Sequence, residues 1–288
     1  SSAGASVSIA ISVADNHISN RVQALVDSAV IRATGDVTLH ADELATITSK
    51  STVAAVAVDI SMGGAVSGGG AKSVNTIDTR TEAWIDAPVG GRSSVTTAGS
   101  LSLTATGAAS TDSQVVAAAA SFGAVGVATA GTVADNVLRP EVKAGISHSD
   151  IDALEVVITA LGQQSGLSKT AALSVSTAVS VGMAKSSVLS SADVQARIGD
   201  DVDLVAQTLR VNARSADVLD LKALAASGGA HVGIAGALTQ LTIDGTTLAG
   251  IGDRSKLVAA TVDIRAAREQ NFDDASLHLA IGEFAGSG

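Results

Sequence analysis

The chain has 288 residues with 18 Lys+Arg against 28 Asp+Glu, a formal net charge of −10, and Ala, Ser, Val and Gly together fill 152 of its positions. Three Phe, one Trp and no Tyr leave few large aromatic anchors, which weighs against a base-stacking platform or a sugar-stacking cleft. The acidic balance speaks against nucleic acid and anionic membranes as partners, and zero Cys removes disulfides, thiolate metal sites and cysteine nucleophiles.

The first predicted element is a strand in which Val7, Ile9, Ile11 and Val13 alternate with Ser6, Ser8, Ala10 and Ser12. Ala is the best helix former, but a period of two with interleaved β-branched residues and Ser is the strand signature. The pattern returns as Val56, Val58, Ile60 and Met62 against Ala55, Ala57, Asp59 and Ser61, and as one long alternation from Ala172 to Met183. Val, Ile and Leu mark one face, expected to be the core; Val179→Asp is then expected to unfold its repeat. Ala, Ser and Gly mark the other face. It is either a weakly polar surface or a flat face that lets a second sheet or a partner chain approach closely.

Two markers follow each alternating strand. The first places Ala24, Ala83, Ala144, Ala196 and Ala249 at intervals of 59, 61, 52 and 53. The second, apolar-x-apolar-x-Ala, ends at Ala41, Ala105, Ala160, Ala213 and Ala266, which lie 17, 22, 16, 17 and 17 residues further on. The longer interval falls around Gly90-Gly91-Arg92-Ser93-Ser94, where a surface loop lengthens at little cost. Internal repetition of this kind predicts an all-β, repetitive β-solenoid (β-helix-like) rod. Its five imperfect repeats of 52–64 residues run approximately 1–48, 49–107, 108–163, 164–214 and 215–268, with a partial 269–288, as one continuous array. At roughly 20 residues per rung and ~4.8 Å between strands, the array is expected to be a rod of ~70 Å.

Asn16, Asn75 and Asn136 each precede their marker Ala by eight residues and are expected to share one structural corner, with a partial Asn ladder. Val188 and Leu241 replace them in the later repeats, where the ladder should stop. The stretch from Val115 to Ala134 carries no charge; it is too rich in Ala, Gly and Thr for a membrane span, and Ala118 and Ala120 are the candidate self-association face.

These pieces carry a resemblance. Asn75-Thr76-Ile77, then Thr81-Glu82-Ala83-Trp84-Ile85-Asp86, then Gly99-Ser100-Leu101-Ser102-Leu103-Thr104-Ala105, resemble the repeats of giant secreted bacterial adhesins. The likeness is to the leukotoxin-type filamentous adhesins and related β-strand-repeat cell-surface proteins. It covers essentially the whole chain and implies an extracellular location at the bacterial cell surface, in an elongated structural or adhesive role. Such repeats often have a Tyr after the marker Ala; Trp84, Gly145 and Arg197 stand there instead.

Chemistry-bearing residues are scattered. His17, His40, His148, His231 and His278 occupy different repeat positions without metal-ligand spacing. Gly68-Gly69-Gly70-Ala71-Lys72-Ser73 lacks the spacing of a phosphate loop and reads as a strand turn. Asp27, Asp86, Asp200, Asp201, Asp203 and Asp253 could stack at corners, but the nonapeptide of calcium-binding β-rolls is missing, so Ca2+ has no motif and no cofactor is expected. Glu43, Glu82, Glu141, Glu155, Glu269 and Glu283 are dispersed. The expected function is therefore a structural or adhesive shaft segment without catalysis. A segment of a self-assembling filament or sheath is the alternative, and a β-helical polysaccharide-active enzyme a remote one. Expected partners are neighbouring repeats or further copies of the chain, and an unknown surface ligand.

Overall fold

The computed structural model describes residues 4–60, 63–88 and 90–282; Ser61, Met62 and Glu283 lie outside them. It is all-β. The first coil comprises β1 (Ala5–Asp27), β2 (Val30–Ala33) and β3 (Val37–Val58). The second comprises β4 (Gly64–Asp86), β5 (Ser93–Thr97) and β6 (Ser100–Phe122), and the third β7 (Val125–Ile146), β8 (Ser149–Asp152) and β9 (Glu155–Ser176). The fourth is β10 (Val179–Ser190), β11 (Asp193–Ile198) and β12 (Val202–Gly229); the fifth is β13 (Val232–Ile243), β14 (Thr246–Ile251) and β15 (Lys256–Gly282).

Every ladder is parallel and joins one coil to the next. One sheet contains β1, β4, β7, β10, β11, β13 and β14, and the other contains β2, β3, β5, β6, β8, β9, β12 and β15. Both alanine markers stack in register: Ala24, Ala83, Ala144, Ala196 and Ala249 in the first sheet, and Ala41, Ala105, Ala160, Ala213 and Ala266 in the second. This arrangement is consistent with a β-solenoid, but its proportions differ from the expected rod. A coil consumes a whole repeat, because partners such as Ala24 and Ala83, or Val37 and Leu101, are one full repeat apart. Strands of 22 or 23 residues span roughly 75 Å at ~3.3 Å per residue, whereas five layers stack to only about 20 Å. The chain is a broad slab.

The interior changes character along the width of the slab. At one edge the short strands β2, β5 and β8 hold the two long sheets apart, and large side chains fill the gap: Ile85, Ile146 and Ile198 face Leu103, Ile158 and Val211, with Val95, Ile151 and Leu204 closing the end. At mid-width Ile77, Leu138 and Val188 meet Ile47, Leu219 and Leu221. At the opposite, narrow edge the interior is almost all alanine: Ala71, Ala128, Ala130 and Ala184 pack on Ala117, Ala119, Ala172 and Ala225.

That taper reverses the expected faces. In the alternating segments the Ala, Ser and Gly residues point inward and the large residues point out: Ser174 and Ser180 are buried, whereas Ile11 is 74% exposed and Met183 62%. Val179 likewise belongs to the outer row. The alternation from Ala172 to Met183 is two strands folded over at Thr177-Ala178, with the period unbroken through the turn. The two sheets come close enough that the inner row is mostly Ala, Ser and Gly, with Val53 admitted opposite Gly69, so size outweighs hydrophobicity in choosing that row. Serine suits this row because its hydroxyl reaches the facing sheet: Ser49 meets Ser73 at 2.8 Å, Ser12 meets Ser51 at 2.9 Å, and Ser180 meets Ser227 at 2.7 Å. The run Gly68-Gly69-Gly70 is part of β4 and not a turn; a Cβ on Gly69 would approach the Ala118 carbonyl oxygen to 2.8 Å.

Asn16, Asn75 and Asn136 stack directly above one another, but mid-strand in β1, β4 and β7 and not at a corner. Parallel in-register stacking brings identical amides within reach, and burial makes each unpaired amide costly. Asn16 Nδ2 donates to Asn75 Oδ1 at 2.9 Å, and Asn75 Nδ2 donates to Asn136 Oδ1 at 2.7 Å. Val188 and Leu241 continue the column without amides. Asn75→Ala removes both ladder bonds and strands the buried Asn136 amide oxygen; a loss of about 1–3 kcal/mol in chemical denaturation is expected.

The real corners lead from the first sheet into the second, where Ser28, His148, Asp201 and Arg254 have φ of 44–56°. A proline marks the one repeated break in the first sheet. Pro140, in β7, has no N–H to give, and the ladder to the fourth coil lapses opposite it, dividing β10 from β11.

Candidate functional site

Among the described residues, the most featured cleft lies on the outer face of the first sheet, at the wide edge. Strand alternation turns the marker alanines inward and their neighbours outward, so in-register stacking assembles columns from successive coils. One column reads Leu25, Trp84, Gly145, Arg197 and Gly250; the adjoining one reads Gln23, Glu82, Lys143, Gln195 and Leu248. A third reads Arg21, Arg80, Glu141, Asp193 and Thr246. Leu25, Trp84 and Arg197 of the first column, Gln23, Glu82, Lys143 and Gln195 of the second, and Arg80 of the third border an open cleft of about 400 Å³.

Trp84 is the cleft's platform. A Cβ on Gly145 would stand 2.5–2.6 Å from the Cη2 and Cζ3 carbons of the indole, so the ring lies over the place where every other residue would have a side chain. Glycine is required there by close approach; the backbone conformation is ordinary extended strand. Beyond Gly145 comes Arg197, whose guanidinium has no hydrogen-bond or ion-pair partner among the described residues.

The other charges are paired. Glu82 accepts hydrogen bonds from Arg21 Nη2 (3.1 Å), from Gln23 Nε2 (2.5 Å) and from Arg80 Nη2. Lys143 binds Glu141 and approaches Asp193 at 3.8 Å. Parallel register stacks Arg21 on Arg80 and Glu141 on Asp193, and these like-charge neighbours are offset by the adjoining column, where Glu82 meets both arginines and Lys143 both carboxylates. Burial pushes the Glu82 carboxyl upward, but the bonds from Arg80, Arg21 and Gln23 outweigh it and hold the group below its ordinary 4.5. A lowered folded-state value stabilises the native chain above the unfolded value and loses that stabilisation as pH falls through the folded one. The melting temperature of the native chain should therefore fall on acidification below pH 4.5, and Glu82→Gln should flatten the fall.

The carboxylates considered for calcium do gather near the corners, where other groups engage them. Asp201 holds Arg254 through two bonds of 2.7 and 2.8 Å, Asp86 meets His148 Nδ1 at 2.9 Å, and Asp200 accepts the Asp253 N–H at 2.8 Å. Asp203 lies 3.2 Å from Arg92, which also binds Asp150. Among the described residues, no three His, Cys, Asp or Glu side chains form a group fit to hold a metal ion.

Ala118 and Ala120 lie on the outer face of β6, between Val116 and Phe122. The rest of their column is apolar: Ala54 and Leu173 flank Ala118, and Val56 and Val175 flank Ala120. The uncharged stretch from Val115 to Ala134 wraps the narrow edge, with alternate residues, such as Ala117, Ala119 and Ala128, in the core and the rest outside. No helix among the described residues is long and apolar enough to cross a membrane.

Comparison with known proteins returns nothing: no family model, no curated protein and no solved structure matches this chain.

Proposed function

We propose that the chain is a structural and adhesive shaft segment of a large extracellular bacterial cell-surface fibre protein, built as a β-solenoid. The observation that carries this reading is the uniform register, coil on coil, of both marker columns. Stacks of this kind are quasi-one-dimensional: each coil needs only its neighbours, so coils add without redesign. The location and the adhesive role come from the resemblance of the repeats to secreted bacterial adhesins. A second reading, a segment of a self-assembling filament or sheath, is favoured by the narrow edge. Its outer rows expose Val7, Ile9, Ile11 and Val13 on one side, and Val56, Phe122 and Leu173 on the other.

Sedimentation velocity over a wide concentration range separates the two. A shaft segment stays monomeric at 28.2 kDa, whereas a filament segment polymerises. If it polymerises, Ala118→Lys and Ala120→Lys should reverse association and leave circular dichroism unchanged, since both positions face outward. Surface labelling of intact producing cells tests location; antibody that reaches its epitope only after lysis would overturn the extracellular reading.

A further inference from the structure

We propose that the Trp84–Arg197 cleft binds an acidic sugar, a uronate-type pyranose carrying a ring carboxylate, within a glycan chain. The inference rests on the adhesive reading and supplies its ligand class.

Three features of the cleft meet three features of such a sugar. The indole of Trp84 lies over Gly145, offering one flat face for the apolar C–H face of a pyranose. One coil beyond Gly145, about 4.8 Å away from strand to strand, stands Arg197, half-buried as a residue and with no partner for its guanidinium among the described residues. That spacing is comparable to the reach from a stacked pyranose ring to its own carboxylate, and a planar guanidinium matches a carboxylate with two parallel bonds. The third feature is a set of acceptors for sugar hydroxyls. The amide nitrogens of Gln23 and Gln195 are engaged by Glu82 and by Asp193, which turns their carbonyl oxygens free as acceptors.

An acidic peptide is the competing ligand, and the site lacks what a peptide uses. An extended peptide that adds to a sheet does so through backbone hydrogen bonds at an edge. Recognition of an acidic motif uses a cluster of arginines, where this cleft has one unpaired guanidinium among the described residues. This cleft lies on the face of the sheet, flanked by strands whose backbone groups already pair with the coils on either side. It offers a ring, a cation and acceptors. The cleft's volume of about 400 Å³ falls in the range of small-ligand sites.

The chain contains a single Trp, so its fluorescence reports this site alone. The experiment titrates the folded chain with a galacturonate trisaccharide, with the matching neutral galactose trisaccharide, and with a short oligoglutamate, following Trp84 emission. Expected is a saturable change with the galacturonate, at least tenfold weaker binding in Arg197→Gln, partial recovery in Arg197→Lys, and no response to the other two. Circular dichroism of each variant should match the parent, because Arg197 faces outward on a strand whose buried neighbours are untouched. A flat titration at millimolar galacturonate overturns the proposal. So does equal binding of the neutral sugar, equal binding by Arg197→Gln, or an oligoglutamate response as strong as the galacturonate's. Sedimentation tests the shaft reading independently, so a monomeric shaft segment that ignores uronates fails here and nowhere else.

Discussion

Replacing Gly182 by valine is expected to force the narrow edge open and cost about 3 kcal/mol or more, at the upper end of what overpacking does. A Cβ there would stand 2.7 Å from the Ala226 carbonyl oxygen and 3.5 Å from that of Ala172. Both are backbone atoms in hydrogen-bonded ladders, so neither can rotate away as a side chain would. The relief available is separation of the sheets, which breaks the Ser180–Ser227 hydroxyl contact two residues away and loosens the alanine packing around Ala184. Met183→Asp, one residue along, is the control: that side chain is 62% exposed on the outer face, and a surface change of this kind costs about 0.5 kcal/mol. Urea denaturation of the two variants gives the comparison. A larger loss from Met183→Asp than from Gly182→Val would mean that the large apolar residues do face the core.

The second large effect is expected at Asp217. Its side chain is fully buried between the sheets, where Oδ1 accepts from Ser190 Oγ at 2.7 Å and Oδ2 from Arg268 Nε at 3.0 Å. Arg268 comes from the last strand, β15, and Ser190 from the facing sheet, so this carboxylate ties two coils and both sheets together. Asp217→Ala leaves a guanidinium only 17% exposed without its counter-ion, and breaking a buried pair in this way costs about 3–5 kcal/mol. Asp217→Ala with Arg268→Met should recover much of the loss, because removing both partners removes the stranded charge. A double variant as unstable as the single would assign the effect to packing.

The sequence displays its repeat with great clarity and its inside only in part. Ala83, Ala144 and Ala196 are readable as one column because the interior at the wide edge leaves no latitude beside Ile85, Ile146 and Ile198. The apolar-x-apolar-x-Ala marker also points the expected way, with Leu101, Leu103 and Ala105 buried. Around Ser180 and Gly182 the same period of two reveals that there are two faces but not which is inside. Ranking by hydrophobicity chooses wrongly there, because the separation of the sheets is a tertiary quantity that no local pattern encodes. The Asn column was legible as a register and illegible as a place, since an amide suits a corner and a stacked strand equally well. The cleft was on view in another form: Trp84, Gly145 and Arg197 are the three residues after successive marker alanines. Reading down that column, and not along the chain, brings an aromatic ring, a missing side chain and a cation together.

The register described above also fixes how such a chain must come together. Each long strand finds its partner a whole repeat away, 59 residues on for Ala24 and Ala83 and 64 for Val37 and Leu101. Among the described residues no hairpin or other local strand pairing exists to start the process, so the first contact between coils carries the entropy of closing a loop of that size before any bond rewards it. Once two coils are joined, their edge is a template, and each later coil has only to lie down along it. Assembly is therefore slow to begin and quick to extend, like crystal growth from a seed. Until the seed forms, long strands with serine and alanine along one side and valine along the other are open to pairing with any copy of themselves.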